Sequence, residues 1–363
     1  MEKMKLAIIG CGRISYKHIE ALVNNQKEVE LVSLCDTVLS KANERKQEYI
    51  DKMGYELPVN LYDDYKKMLE NEDIDIVSIA TESGYHSEIA IYAMNKKKHV
   101  IVEKPMALSI EDAKNMIATA KKNGVKLCVS HQNRFNKSVQ MLRKSVDDNR
   151  FGKLINGTAR ILWNRNDGYY TQAPWRGTWK LDGGTLMNQC IHNIDLLQWM
   201  LGGEVDTVYS QCDTFMRNIE AEDFGAIMIR FKNGAIGIVE GSACVFPKNL
   251  EETLSIFGEK GTVCIGGIAV NKIENWRFGD GLDSEEAIIK CQEEDPDSVY
   301  GFGHTLLYKD MLEAIKENRE PLINGEEGIK GLSIILAAYK SRKTGLPVKF
   351  PLDNFSTLDM KEI

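Results

Sequence analysis

The chain has 363 residues, of which 43% are hydrophobic and 27% charged, and its formal net charge is −7. That length suits about two domains with a core each, and the acidic balance argues against a nucleic-acid surface, which needs a concentrated basic stripe. No apolar run approaches the ~18 residues of a membrane span and no secretory leader opens the chain, so a soluble, cytoplasmic protein with no membrane partner is expected.

Lys5 to Ile9 predicts a short buried strand, and Gly10-Cys11-Gly12-Arg13-Ile14-Ser15 follows as a G-x-G-x-x-S turn into a helix. Gly10 permits the tight turn, Gly12 lets the backbone approach a pyrophosphate, and Ser15 is small enough for helix to pack on strand. Backbone N–H groups and the dipole at the helix start, with Arg13 and Ile14 beside them, are expected to hold the phosphates. A second strand, Val29–Cys35, ends in Asp36, about 20 residues beyond the glycines, where a carboxylate bonds both ribose hydroxyls of an adenosine. Asp36 would repel a 2′-phosphate, so NAD is expected over NADP. Lys41 and Arg45, further on, pull the other way.

A polar helix is predicted over 41–53, then a strand over 74–80 that leads to Thr81, Glu82, Tyr85 and His86. Ligands of such sheets lie beyond the carboxyl ends of the strands, which puts these residues at the cofactor cleft. His86 either contacts the cofactor or caps the helix over 87–95. The strand His99–Val102 delivers Glu103-Lys104-Pro105 to the same edge, and Pro105 biases Lys104 away from helical geometry and favours a cis bond. Ser109 to Asp112 resembles a capping box that starts a helix to Lys122, and a strand over 127–130 closes the alternation. Strand alternating with helix implies a doubly wound parallel sheet. The domain boundary is set here: residues 1–127 as the NAD-binding domain, 128–363 as the substrate-binding and oligomerisation domain.

The second half reads mainly as strands, over 154–163, 207–214, 226–231, 235–243, 253–257 and 262–265, with Asn233-Gly234 as a hairpin turn. A loop rich in Trp, Tyr and Arg spans 164–182, and one helix is predicted from Gly184 to about Leu201. On a continuous helix Asn188, His192 and Asp195, spaced i, i+4 and i+7, share a face. Helices fit 304–317 and 325–340, whereas 280–299 reads as an acidic irregular excursion. So large a sheet needs cover, from helices on one face and another subunit on the other. The eight cysteines are scattered with no Cys-x-x-Cys, as small buried hydrophobes are, so no metal site is expected.

Gly10-Cys11-Gly12, Glu103-Lys104-Pro105 and the Gly183-Gly184…His192 helix, in this order, resemble the Gfo/Idh/MocA oxidoreductase family over essentially the whole chain. The resemblance implies a Rossmann domain followed by an α/β domain with a large open, mainly antiparallel sheet that mediates dimer or tetramer formation. It implies that Lys104 and His192 work at a C–OH/C=O centre. It places Thr81, His86, Glu103, Gln132, Trp175 and Arg176 at the cofactor. Many members carry aspartate where this chain has Asn188. His131 to Phe135, Trp175 to Trp179, Asp182-Gly183-Gly184, Asn188 to Asp195 and Val299 to His304 further resemble the subgroup that oxidises UDP-N-acetyl-glucosaminuronate at C3 for bacterial surface polysaccharide, in which asparagine holds that place.

On that resemblance a nucleotide sugar is the expected substrate, with Arg165, Tyr169, Tyr170, Asn188, His192, Asp195 and Lys104 around it. An imidazole titrating near pH 6.5 suits His192 as general base, with Lys104 stabilising the developing charge; the opposite assignment needs Lys104 neutral and its pKa strongly depressed. Some members of the subgroup recycle their cofactor with 2-oxoglutarate, which makes that acid a candidate partner. The competing readings are an inositol or other cyclitol dehydrogenase, an NADPH-dependent ketoreductase of dTDP-sugars, and a non-catalytic NAD-binding regulator.

Overall fold

A computed structural model describes residues 3–202, 204–290, 301 and 303–362. The chain forms two compact units. Met1–Ala107, Glu111–Gln132 and His304–Ile329 make the first, and Leu108–Ile110, Asn133–Gly303 and Lys330–Ile363 make the second. The fold is α/β, as expected.

The first unit holds six parallel strands: β1 (Met4–Ile9), β2 (Val29–Cys35), β3 (Asn60–Tyr62), β4 (Ile76–Ile79), β5 (His99–Val102) and β6 (Leu127–Val129), in the order β3-β2-β1-β4-β5-β6. Near-continuous Val, Ile and Leu runs bury the inner strands on both faces, as a sheet wound by helices requires. Helices α1 (Ser15–Asn24), α2 (Leu39–Met53), α3 (Tyr65–Asn71), α4 (His86–Asn95) and α5 (Ile110–Asn123) alternate with the strands. The edge strand β6 is closed by the late segment: Val129 N–H donates to the Ile323 carbonyl at 2.9 Å, and Gly328 lies against the Val129 side chain.

In the second unit, α6 (Lys137–Asp147) precedes β7 (Leu154–Leu162), and α7 (Asp167–Thr171), α8 (Thr185–Asn188) and α9 (Ile191–Met200) follow it. Next come β8 (Val205–Asp213), β9 (Phe224–Phe231), β10 (Ile236–Ser242), β11 (Glu251–Gly258), β12 (Gly261–Gly266) and β13 (Lys272–Phe278), then α10 (Glu285–Lys290); from His304 on, α11 (Gly303–Glu317) and the start of α12 (Gly325–Thr344) belong to the first unit, and the rest of α12 with β14 (Val348–Lys349) to the second. The sheet runs β13-β12-β11-β7-β10-β9-β8-β14, antiparallel except between β7 and β10. The β9–β10 hairpin turns at Asn233-Gly234, where Asn233 Oδ1 accepts the Ala235 N–H at 3.0 Å.

Strand β9 alternates buried and exposed positions, so the sheet has two unlike faces. On the inner face Gly157 pairs across from Gly237, and Gly225 across from Gly241. A Cβ at any of them would press on Leu197, Leu186 or Cys190, so missing side chains make the trough in which α8 and α9 lie. On the outer face Tyr209, Met228 and Ile238 are neighbours across β8, β9 and β10 and stand exposed.

Two expectations change. The helix after Gly184 is broken between α8 and α9, because Cys190 N–H reaches back five residues to the Thr185 carbonyl at 3.0 Å. That one-residue bulge turns α9 by about 100° relative to a straight helix, so Asn188 and His192 do not continue one face. Cys190 explains the break, being seated directly under Gly241. The start of the acidic excursion is also ordered: Arg150 bonds Asp280 at 2.8 Å and Asp283 at 2.6 Å, and α10 follows. Residues 291–300 and 302, with half of the Val299–His304 motif, lie outside the described residues. Among the described residues no helix is long and apolar enough to cross a membrane.

Candidate active site

At the carboxyl end of β1, Gly10 takes φ +93°, and a Cβ there would fall 2.5 Å from the Ala80 backbone. Only glycine lets the first turn touch the end of β4. Around Gly12 a Cβ would meet nothing within 4 Å, which leaves its face open for a ligand. Ser15 does more than stay small: its hydroxyl donates to the Gly12 carbonyl at 2.6 Å and locks the turn. Arg13 is exposed and Ile14 half-buried at the start of α1. Asp36 Oδ2 accepts the Cys11 N–H at 2.9 Å and Oδ1 the Val38 N–H at 2.8 Å. A carboxylate has about four lone-pair sites, so two remain for ribose hydroxyls. Gln132 is buried beyond β6, and its Oε1 has no hydrogen-bond partner among the described residues. An open glycine face, a fixed carboxylate and an unsatisfied buried amide fit a dinucleotide.

Lys104 follows β5 in a turn with a cis bond to Pro105. The side chains of His86 and Glu103, expected at the cofactor, are instead spent inside the unit. His86 is fully buried, with ring nitrogens 2.8 Å from the Pro105 carbonyl and 3.1 Å from the Thr81 carbonyl. Burial pushes its pKa down, so one nitrogen donates at a time. Glu103 Oε2 accepts the Lys104 backbone N–H at 3.3 Å, and Oε1 faces His18 and His304. Both residues act as fasteners of the turn: β5 delivers Glu103 to its core side, and His86, at the start of α4, reaches the Pro105 carbonyl. Among the described residues, His18, Glu103 and His304 are the set whose ligand atoms, all within 4.8 Å of one another, could hold a metal ion.

In the second unit Tyr169 stands between two guanidinium groups, Arg176 at 4.1 Å and Arg165 at 5.3 Å from its ring centre. Arg165 also lies 4.4 Å from the Trp163 ring, and Arg176 5.7 Å from Trp175. Arg176 Nη1 donates to the Tyr169 carbonyl at 2.6 Å. Tyr170 packs edge-on against Tyr169, and burial pushes its phenol up. Asn188 Nδ2 donates to Asp182, whose other oxygen accepts the Gly177 N–H at 2.7 Å. Gln189, which the sequence reading passed over, donates to Tyr169 Oη at 3.1 Å and to Asn188 Oδ1 at 3.3 Å. Tyr169, Asn188 and Gln189 thus form one hydrogen-bonded group, with His192 half-buried on α9 beyond the bulge.

Asp195, expected beside the substrate, is not available to it. It is fully buried, and Arg134 Nε and Nη2 each donate to it at 2.7 Å. The bulge after Asn188 and the burial of α9 along nearly its whole length leave it in the core.

Residues 4–131 match the NAD-binding Rossmann fold of an oxidoreductase family, and residues 139–264 match the Gfo/Idh/MocA C-terminal domain. The chain belongs to the Gfo/Idh/MocA oxidoreductase family. It is an NAD-dependent sugar or polyol dehydrogenase. The WlbA dehydrogenase of Bordetella pertussis, solved with NADH and UDP-GlcNAcA, is 36% identical with a TM-score of 0.86 over 97% of this chain and 99% of that one. The WlbA dehydrogenase of Chromobactrium violaceum, in the same kind of complex, is 35% identical with a TM-score of 0.87 over 97% of each chain. The myo-inositol 2-dehydrogenase of Thermotoga maritima is 25% identical over 95% of this chain and 98% of its own length.

In this Gfo/Idh/MocA chain two buried carboxyls escaped the sequence reading. Glu222 Oε1 accepts the Leu186 N–H at 2.7 Å, and a Cβ on Gly184 would sit 1.5 Å from Oε2, so Glu222 fixes the Gly183-Gly184 turn. Glu252, on β11, is buried too, and that burial pushes its carboxyl up to about 8 against the downward pull of Arg165 and Asn193. In the unfolded chain it ionises near 4.5. The folded chain therefore binds the extra proton between those values, and this contribution to stability is lost as pH rises through that window. Glu252→Gln is expected to flatten the fall in unfolding free energy between pH 5 and 8 by up to about 1.4 kcal/mol per pH unit. An unchanged slope in a thermal-denaturation series would show that Glu252 is already ionised.

Proposed function

We propose that the chain oxidises the C3 hydroxyl of UDP-2-acetamido-2-deoxy-glucuronate to the 3-keto sugar, in the synthesis of a bacterial surface-polysaccharide precursor. The full-length likeness to two enzymes crystallised with UDP-GlcNAcA carries the reading. The paired guanidinium groups around Tyr169 support it, since forked cations suit a carboxylate and a diphosphate in a chain that is acidic overall.

Gly10, Gly12, Asp36 and Gln132 would hold NAD, which accepts the two electrons and the hydrogen leaving C3. Lys104 and His192 act on the C3 oxygen. One accepts the hydroxyl proton and the other donates a hydrogen bond to the same atom as its charge grows. Asn188, bearing no charge, orients a hydroxyl or the acetamido group.

Production of NADH from UDP-GlcNAcA, UDP-N-acetylglucosamine and myo-inositol, with and without 2-oxoglutarate, tests the reading. Turnover confined to the UDP-uronate is expected. Turnover of myo-inositol alone would favour a cyclitol dehydrogenase, which the likeness to the Thermotoga enzyme supports. Arg165→Ala is expected to raise KM for the UDP-uronate by about 10–100-fold, the worth of a hydrogen bond to a charged group, and to spare the neutral UDP-sugar. Equal effects on both substrates would remove Arg165 from the site.

We further infer that a second copy of the chain covers the outer face of the large sheet. Tyr209, Met228 and Ile238 are 38%, 57% and 43% exposed there, a contiguous apolar patch of the kind that marks an interface. Met228→Arg is expected to lower the mass measured by sedimentation to that of a smaller species. A monomeric parent protein would dismiss the idea.

A further inference from the structure

The chemistry above leaves one buried polar cluster without a task. Within the first unit, His18 on α1, Glu103 after β5 and His304 on α11 meet at 0%, 6% and 3% exposure. His18 Nε2 is 3.3 Å and His304 Nε2 3.5 Å from Glu103 Oε1. Behind them His18 Nδ1 lies 2.7 Å from Tyr308 Oη and 3.1 Å from Ser78 Oγ, and Tyr308 Oη lies 2.9 Å from Ser78 Oγ. Two hydroxyls on two different elements thus fix the first imidazole, which stands edge-on to the second at 5.5 Å between ring centres.

Burying this much polarity costs several kcal/mol unless each group is partnered. Apolar residues of the same volume would fill the space more cheaply, so a stability role alone explains it poorly. What distinguishes the cluster is its place. The oxygen of Glu103 that the imidazoles do not face accepts the Lys104 backbone N–H, and on the far side of Lys104 the Pro105 carbonyl is held by His86. Burial would push the Glu103 carboxyl up, but the two imidazoles outweigh it and hold it well below the usual carboxylate range. The groups facing that anion are His18 from α1, His304 and Tyr308 from α11, His86 from α4, and Lys104 next to it in the chain. Lys17 bears on His304 in turn.

We propose that His18 and His304 are positioning residues for the reaction: they clamp the Glu103 carboxylate under the turn that carries Lys104, and so hold Lys104 where the sugar hydroxyl needs it. The inference rests on the reading of Lys104 as a residue that acts on substrate. A displacement of about 1 Å at such a group costs up to ~10²-fold in rate. The competing occupant of the same space is a divalent cation on the three ligand atoms, whose spacing would admit one.

The test compares parent, Lys104→Ala, His304→Ala and His304→Gln for kcat, KM, NAD affinity, Tm and metal content by mass spectrometry. His304→Ala is expected to lose about 10–100-fold in kcat with KM and NAD affinity within about threefold. His304→Gln, whose amide N–H can still donate to Glu103, is expected to recover most of the loss. Parent-like kcat in His304→Ala beside an inactive Lys104→Ala would overturn the clamp and leave the reading of Lys104 standing. Normal turnover by Lys104→Ala would instead bring down that reading, and the clamp with it. A fall in kcat that only tracks lost NAD affinity and Tm, or one equivalent of a divalent metal in the parent that His304→Ala lacks, would also overturn it.

Discussion

Lys104→Ala is expected to lower kcat by about three orders of magnitude while the affinity for NAD stays within a few-fold of the parent. The size follows from the two tasks open to an ammonium at a reacting hydroxyl. Proton transfer by a positioned side chain contributes about 10²–10⁴-fold, and a preorganised charge at a developing oxyanion about 10²–10³-fold. The selectivity follows from the fold. The glycine turn proposed for the pyrophosphate is built by Gly10, Gly12 and Ser15 at the end of β1, and Asp36, proposed for the ribose, stands after β2, fixed by the Cys11 and Val38 N–H groups. None of these contacts depends on the Lys104 side chain. Calorimetric titration with NAD and steady-state kinetics on the same preparation separate the two effects. Turnover near that of the parent would defeat the assignment of Lys104. Weakened NAD binding in step with kcat would make it a cofactor ligand only.

The nucleotide half of this site was legible because its signals are local. A glycine pattern between two apolar strands and an acid after the second must produce this turn wherever the strands pair in parallel, and they do. The position of Lys104, though not its role, was legible for the same reason, at the end of a strand and before a proline. The losses came from contacts that link distant residues. Nothing in a window around Glu103 announces His304, two hundred residues on, so a carboxylate aimed at the core looked like a cofactor contact. Asn188, His192 and Asp195 have helical spacing, but spacing assumes an unbroken helix. The bulge at Cys190 exists because Gly241, on another strand, leaves room for the thiol. Gln189 was missed because the broken turn, not the sequence spacing, brings it beside Tyr169. Glu222 and Glu252 lie on or near strands whose alternation reads equally well with a polar residue facing out.

Asp195→Ala is expected to destabilise the protein by about 3–5 kcal/mol, because it leaves the Arg134 guanidinium buried without its counter-charge. Both members of the pair are almost fully shielded, at 1% and 0% side-chain exposure, and their two parallel bonds of 2.7 Å are the strong bidentate form. The pair ties the turn after β6 to α9, and Trp199 from the same helix lies 4.7 Å from the guanidinium carbon. For a unit of this size the loss corresponds to roughly 6–20 °C in Tm. Removing both charges together, as Arg134→Met with Asp195→Leu, should cost far less than either change alone, since a buried pair is dear to break yet cheap to replace with apolar groups of like volume. Thermal denaturation of the four proteins of that cycle gives the coupling directly. Because His192 sits on α9 three residues before Asp195, the single variant should also lose turnover even at temperatures where it stays folded, and the double variant should regain it. Additive losses in stability would mean that the two side chains are buried independently, and that α9 owes its seat to the glycine trough alone.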